Sequence, residues 1–148
     1  MTVIAALRSR PLAALVVAIA LALATAAAAL AVSRGTVGPA TTVDISIRYS
    51  HYDPSAVTVP LGRPVTFVLH NDDPIDHEWI VGDAALHDRH RKGTEPYHAS
   101  RPTELTIPAG STITTVVTFR TPGHLQYICH LPGHEAYGMV GTVTIAGG

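Results

Sequence analysis

A single cysteine among 148 residues excludes an internal disulfide, so no covalent staple holds this chain. Excess charge is missing too: 10 Lys/Arg face 11 Asp/Glu, which leaves no basic surface for a polyanion. His134-Glu135 is not followed by a histidine at the spacing of a zinc-protease helix, and no G-x-S-x-G turn offers a serine nucleophile. No internal repeat is present.

Charge is absent altogether from "PLAALVVAIALALATAAAALAV", Pro11 to Val32, which follows Arg8 and Arg10. Arginines ahead of a long apolar run mark export across a membrane. The run is long enough to span a bilayer as a helix, and small residues near Ala27 to Ser33 suit cleavage. Residues 1–34 therefore read as a signal peptide or a transmembrane anchor, with a possible membrane tether through residues 11–32. Residues 35–42 read as a linker of small residues and proline, and 43–148 as the exported domain. Both readings place that domain outside the cytoplasm, periplasmic or at the cell surface, membrane-anchored or secreted. From Gly35 onward its charge is 7 − 11 = −4. In an oxidising compartment the unpaired thiol of Cys129 is a liability unless it is buried or bound.

The exported part has the rhythm of β structure. "VDISIRY" alternates apolar and polar residues. "AVTVPLGRPVTFVLHN", "HEWIVG", "TELTIPAGSTITTVVTF", "HLQYICH" and "GMVGTVTIA" supply further short strands, rich in Val, Ile and Thr and broken by Gly and Pro. This predicts an antiparallel sandwich or barrel, with Phe67 and Trp79 as core aromatics. Asp83 to Thr103 interrupts it with a polar, histidine-rich stretch, read as a loop with a possible short helix at its start.

The chemistry gathers in "YICHLPGHEAYGMVG", where Cys129, His134 and Met139 are spaced C-x4-H-x4-M. Cysteine ends one strand, methionine begins the next, and the histidine lies between, so one loop can turn all three inward. Thiolate, imidazole and thioether together suit copper. A second imidazole completes a His2Cys set with a weak axial methionine, and "HNDDPIDHEWIVG" supplies it as His77; His70, on the preceding strand, is its competitor.

With these residues the chain resembles the cupredoxin (type 1 blue copper) family over Thr42 to Ile145, closer to longer-loop members such as rusticyanin than to plastocyanin. The resemblance implies an all-β, eight-stranded Greek-key β-sandwich behind the N-terminal apolar helix. It implies one type 1 copper held by His77, Cys129, His134 and Met139, with His70 facing the strand interior. It also implies no enzyme activity but single-electron transfer, with redox partners docking near Leu131, Pro132, His134 and Ala136. Two departures stand out. Glu78 follows His77 where many relatives carry Asn or Ser, and a carboxylate facing the sulfur would lower the reduction potential. His130 follows Cys129 as in multicopper oxidases, yet no His-x-His pairs complete a trinuclear cluster.

The alternative function is extracytoplasmic copper handling, for resistance or delivery, with His87, His90 and His98 as an accessory metal site. A solvated loop is the simpler account of those three histidines. His51 and His124 read as surface or strand-end residues.

Overall fold

A computed structural model describes residues 40–93, 98 and 101–147. The export segment 1–34 and most of the linker lie outside the described residues. The linker's last two residues, Thr41 and Thr42, already belong to the first strand.

Among the described residues, nine strands form two sheets. They are β1 (Thr41–Arg48), β2 (His51–Asp53), β3 (Ala56–Pro60), β4 (Pro64–Asn71), β5 (His77–Gly82), β6 (Glu104–Ile107), β7 (Thr112–Thr118), β8 (Gly123–Ile128) and β9 (Val140–Ala146). One sheet runs β2-β1-β4-β7, the other β3-β9-β8-β5-β6. The ninth strand is β2, too short at three residues to show alternation. The sandwich is also not purely antiparallel: β1 runs parallel to β4, and β3 to β9.

Alternation along each strand builds the core. Ile45 and Ile47 of β1 and Val65, Phe67 and Leu69 of β4 meet Trp79, Val81, Tyr127 and Val143 of the facing sheet. The expected core aromatics are in contact, with the Phe67 and Trp79 ring centroids 4.8 Å apart. His70 is on the other face of β4, outside the interior its resemblance implied. It lies 3.1 Å from Thr112 Oγ1 and is partly exposed.

Strand β5 is different, because five of its six residues are buried. His77, Trp79 and Val81 face the core, and the opposite face is covered by a helix. This helix, α1 (Ala84–Lys92), occupies the start of the stretch read as a loop. The Asp83 carboxylate caps it by accepting from the Leu86 N–H (2.9 Å), and four basic residues fill its last turn, where the helix dipole favours them. Leu86 packs so closely over Gly82 that a Cβ there would lie 2.6 Å from its side chain. The result is a strand buried on both faces, apolar from Trp79 to Val81 but opening with the polar pair His77 and Glu78.

Gly141 shows how tight the core is at the start of β9. A Cβ at this position would lie 2.1 Å from the Tyr127 ring, whose cross-strand partner it is. Tyr127 cannot retreat, because it is fully buried and its hydroxyl donates to the Pro54 carbonyl (2.7 Å). Gly141→Ala is therefore expected to destabilise the fold by about 1–3 kcal/mol, as overpacking does, read as a lowered midpoint in denaturant melting. An unchanged midpoint would contradict this packing.

Candidate metal centre

Strand register brings the distant donors together. β5 pairs with β8 so that Ile80 faces Ile128, and β8 pairs with β9 so that Ile128 faces Val140. The next step along the β8–β9 ladder sets Cys129 beside Met139, where the Cys129 N–H donates to the Met139 carbonyl (3.3 Å). Between them the loop turns tightly: the N–H groups of His134 and Met139 donate to the carbonyls of Leu131 and His134, both at 3.0 Å. This closure puts the His134 ring back over Cys129.

His77 Nδ1, Cys129 Sγ and His134 Nδ1 converge. The two ring nitrogens are 3.2 Å apart, and the sulfur lies 3.2 Å from His134 Nδ1. Donors that share a tetrahedral ion at bonds of about 2.0–2.3 Å sit roughly 3.3–3.8 Å apart, so the arrangement fits one metal with little movement. The donor set, one thiol and two imidazoles, suits copper. Cys129 and His77 are fully buried and His134 is half-buried. Met139 is fully buried at the entry to β9. His70 is not brought to this site.

Burial acts on the thiol and on the imidazole in opposite senses for metal binding. Burial pushes the Cys129 thiol up to about 11, although the N–H groups of Glu78 and Leu131 pull the other way. A metal must displace that proton. Burial, then the neighbouring His77 ring, holds His134 below its ordinary value, which favours the neutral ring with one nitrogen lone pair free for a metal.

Glu78 does not face the sulfur. Its backbone N–H donates to Cys129 Sγ (3.3 Å), while its carboxylate turns to the other face of β5 and accepts from the His130 N–H (3.1 Å). The departure from Asn or Ser therefore leaves backbone N–H groups, those of Glu78 and Leu131, on the sulfur and turns the Glu78 carboxylate away from it.

Asp73 is the residue that motif reading missed. Its Oδ2 lies 2.9 Å from His77 Nε2, which fixes the ring and leaves Nδ1 to face the metal position. Asp73 is held in turn by the β1–β2 hairpin, where the N–H groups of Tyr49 and Ser50 each donate to it at 2.7 Å. Both turn residues have positive φ, 53° and 56°, which aims consecutive N–H groups at one acceptor. Burial raises the Asp73 carboxyl, but these hydrogen bonds and the His77 ring outweigh it and hold the group below its ordinary value. The available signal was the Asp73-to-His77 spacing of four within a Pro-containing loop.

The histidines read as a solvated loop are not solvated. His87 is fully buried, His98 is 4% exposed, and the His90 side chain is 5% exposed. His51 and His124 are exposed as expected. The polar spacing of the segment concealed the burial, because His87 turns in toward Gln126 of β8 and His130, while His90 and His98 turn toward Glu104 of β6.

The family model for copper binding proteins of the plastocyanin/azurin type matches residues 40–146. Among curated relatives, the copper-resistant cuproprotein CopI of Rubrivivax gelatinosus is 31% identical over 97 residues, 64% of this chain and 59% of that protein. The protein of the same description from Pseudomonas aeruginosa is 26% identical over 136 residues, 70% of this chain and 75% of that one. The chain thus spans less than two thirds of the Rubrivivax protein's length. Among solved structures, auracyanin from Roseiflexus castenholzii matches with a TM-score of 0.61 at 24% identity, covering 74% of this chain and 99% of that one. Auracyanin B gives 0.62 at 22%, covering 73% and 90%. At these identities the likeness establishes the fold.

Asp73→Asn keeps the shape but replaces one acceptor oxygen by an N–H2, which must then face the Tyr49 N–H or the Ser50 N–H and His77 ring. The expected loss is about 1–3 kcal/mol of stability in denaturant melting. Copper affinity should fall about 10–100-fold in a competition titration. Unchanged affinity would remove Asp73 from its positioning role.

Proposed function

The chain belongs to the plastocyanin/azurin family of copper-binding proteins, and on that premise we propose that it is an exported copper-handling protein acting in copper resistance. His77, Cys129 and His134 hold one copper, with Met139 as a weak axial ligand. The observation that carries this reading is the convergence of those three donors, with His134 Nδ1 3.2 Å from both His77 Nδ1 and Cys129 Sγ, on a thiol that burial keeps protonated until a metal takes its place. The choice of resistance follows the curated relatives, both described as copper-resistant cuproproteins. The charge-free run behind Arg8 and Arg10 supports export.

Copper bound there would cycle between Cu(I) and Cu(II) within a mixed sulfur and nitrogen ligand set. The chain's own contribution is to hold the donors still. Asp73 orients His77, the Glu78 N–H restrains the sulfur, and the loop hydrogen bonds set His134. With Met139 as the fourth protein donor the copper would have no position left for a substrate, which supports a binding or electron-transfer role over catalysis.

Electron carriage is the second reading. Half-buried His134 is flanked by exposed Pro132 and Ala136 and partly buried Leu131, a small apolar rim suited to a brief, low-area encounter with a redox protein. A carrier needs a partner that oxidises or reduces it rapidly, whereas a handling protein needs only free copper.

Deleting the gene in its host is expected to raise copper sensitivity, with tolerance restored by the wild-type gene and not by Cys129→Ser. Full tolerance in the deletion strain would contradict the resistance role. The purified Cys129→Ser protein should also lack the intense visible thiolate-to-copper absorption of the wild type.

Met139→Leu is expected to keep bound copper and raise the reduction potential, because a weak donor to Cu(II) is removed. Loss of copper from that variant, or an unchanged potential in voltammetry, would contradict the axial role.

A further inference from the structure

We propose a second metal site, for Cu(II), formed by His90, His98 and Glu104 on the outer face of β5 and β6. Its location follows from period-two alternation. His77 and Cys129 point to the sandwich interior, so their neighbours Glu78 and His130 point to the opposite face. There α1 brings down His90, β6 presents Glu104, and His98 lies over both.

The donor atoms of His90, His98 and Glu104 lie within 4.8 Å of one another. Glu104 Oε2 is 3.5 Å from His90 Nε2 and 3.7 Å from His98 Nδ1, beyond hydrogen-bonding range but close to the roughly 3.4 Å that separates two ligands of one tetrahedral ion. Those two ring nitrogens have no hydrogen-bond partner among the described residues, although both are buried. Side-chain exposures are 5%, 2% and 6% for His90, His98 and Glu104.

The opposite ring nitrogens are occupied in the way metal-bound imidazoles require. His90 Nδ1 lies 3.0 Å from the Leu86 carbonyl, and His98 Nε2 lies 3.3 Å from Glu78 Oε1. Each partner is an acceptor, so each of those nitrogens carries its proton there, and the lone pairs on His90 Nε2 and His98 Nδ1 face a carboxylate. Two lone pairs and a carboxylate, buried together, call for a cation between them. Arg101 Nη1 donates to Glu104 Oε2 (2.7 Å) from the rim and competes for that oxygen. An open cleft of about 510 Å³, lined in part by Glu78, His90, His98 and His130, gives the ion a path inward.

Two imidazoles and a carboxylate bind borderline divalent ions, among which Cu(II) binds most tightly. The choice of copper rests on the proposed copper-handling role; the site itself does not. The two centres are also linked: His130 follows Cys129 in the chain and stacks on the His90 ring, with centroids 5.3 Å apart.

The test is titration of the full chain with Cu(II), following total copper bound together with the visible band of the first site. Wild type is expected to bind a second equivalent after that band saturates, with an electron paramagnetic resonance signal of the nitrogen–oxygen type. The double variant His90→Gln/His98→Gln should lose the second equivalent and keep the band. Cys129→Ser should lose the band and keep the second equivalent. Should the double variant fail to fold, Glu104→Gln is read instead, with at least a tenfold loss of affinity for the second equivalent. A wild type that binds one equivalent, or a second equivalent indifferent to these substitutions, overturns the proposal. Failure of the resistance role would appear separately, in the deletion strain.

Discussion

The Asp73 carboxylate joins the two sheets at the metal end of the sandwich. It gathers the Tyr49 and Ser50 N–H groups from the hairpin of the four-stranded sheet on its two oxygens, and the oxygen that takes Ser50 also orients His77 at the head of β5 in the five-stranded sheet. Neighbouring contacts reinforce the link. The Tyr52 hydroxyl donates to the Glu78 carbonyl, and the buried Asn71 amide reaches the carbonyls of Ile75, Ile107 and Pro108 at 2.8–3.0 Å. Removing the hairpin's two donors would leave a buried carboxylate against a lone imidazole, which is costly. The positive φ angles of Tyr49 and Ser50 are thus tied to the placement of a histidine 28 residues or so along the chain.

A second constraint is the alternation of side chains along β5 and β8. Because successive residues face opposite sides, the pairs His77/Glu78 and Cys129/His130 each serve two environments. The inner members lie among core side chains, where low polarity keeps the thiol protonated until a metal binds. The outer members lie beneath α1, where His130 is held to about 4, chiefly by burial and then by the neighbouring His87. A one-residue slip in either strand would exchange the two faces and abolish both arrangements. The bidentate pair between Arg91 of α1 and Glu135, beside His134, ties the helix to the ligand loop.

Most strands were legible because burial on one face leaves a period of two in the sequence, as Ile45, Ile47, Val65, Phe67 and Leu69 show. The C-x4-H-x4-M spacing was legible because one loop carries all three residues. What the sequence concealed depended on contacts between segments distant along the chain. Asp73 gains its meaning from a hairpin more than 20 residues away, and His70 reads like His77 until register turns it outward. The histidines of residues 83–103 looked solvated because their stretch is polar, and only the docking of α1 on β5 buries them. The parallel pairings of β1 with β4 and β3 with β9 leave no local signature at all.

A crystal structure of the copper-loaded protein, with anomalous scattering collected at the copper edge, tests the central claim most directly. The account predicts the strongest peak at bonding distance from His77 Nδ1, Cys129 Sγ and His134 Nδ1 together, with Asp73 still on the far nitrogen of His77. A peak that leaves His77 or Cys129 unbound would contradict it.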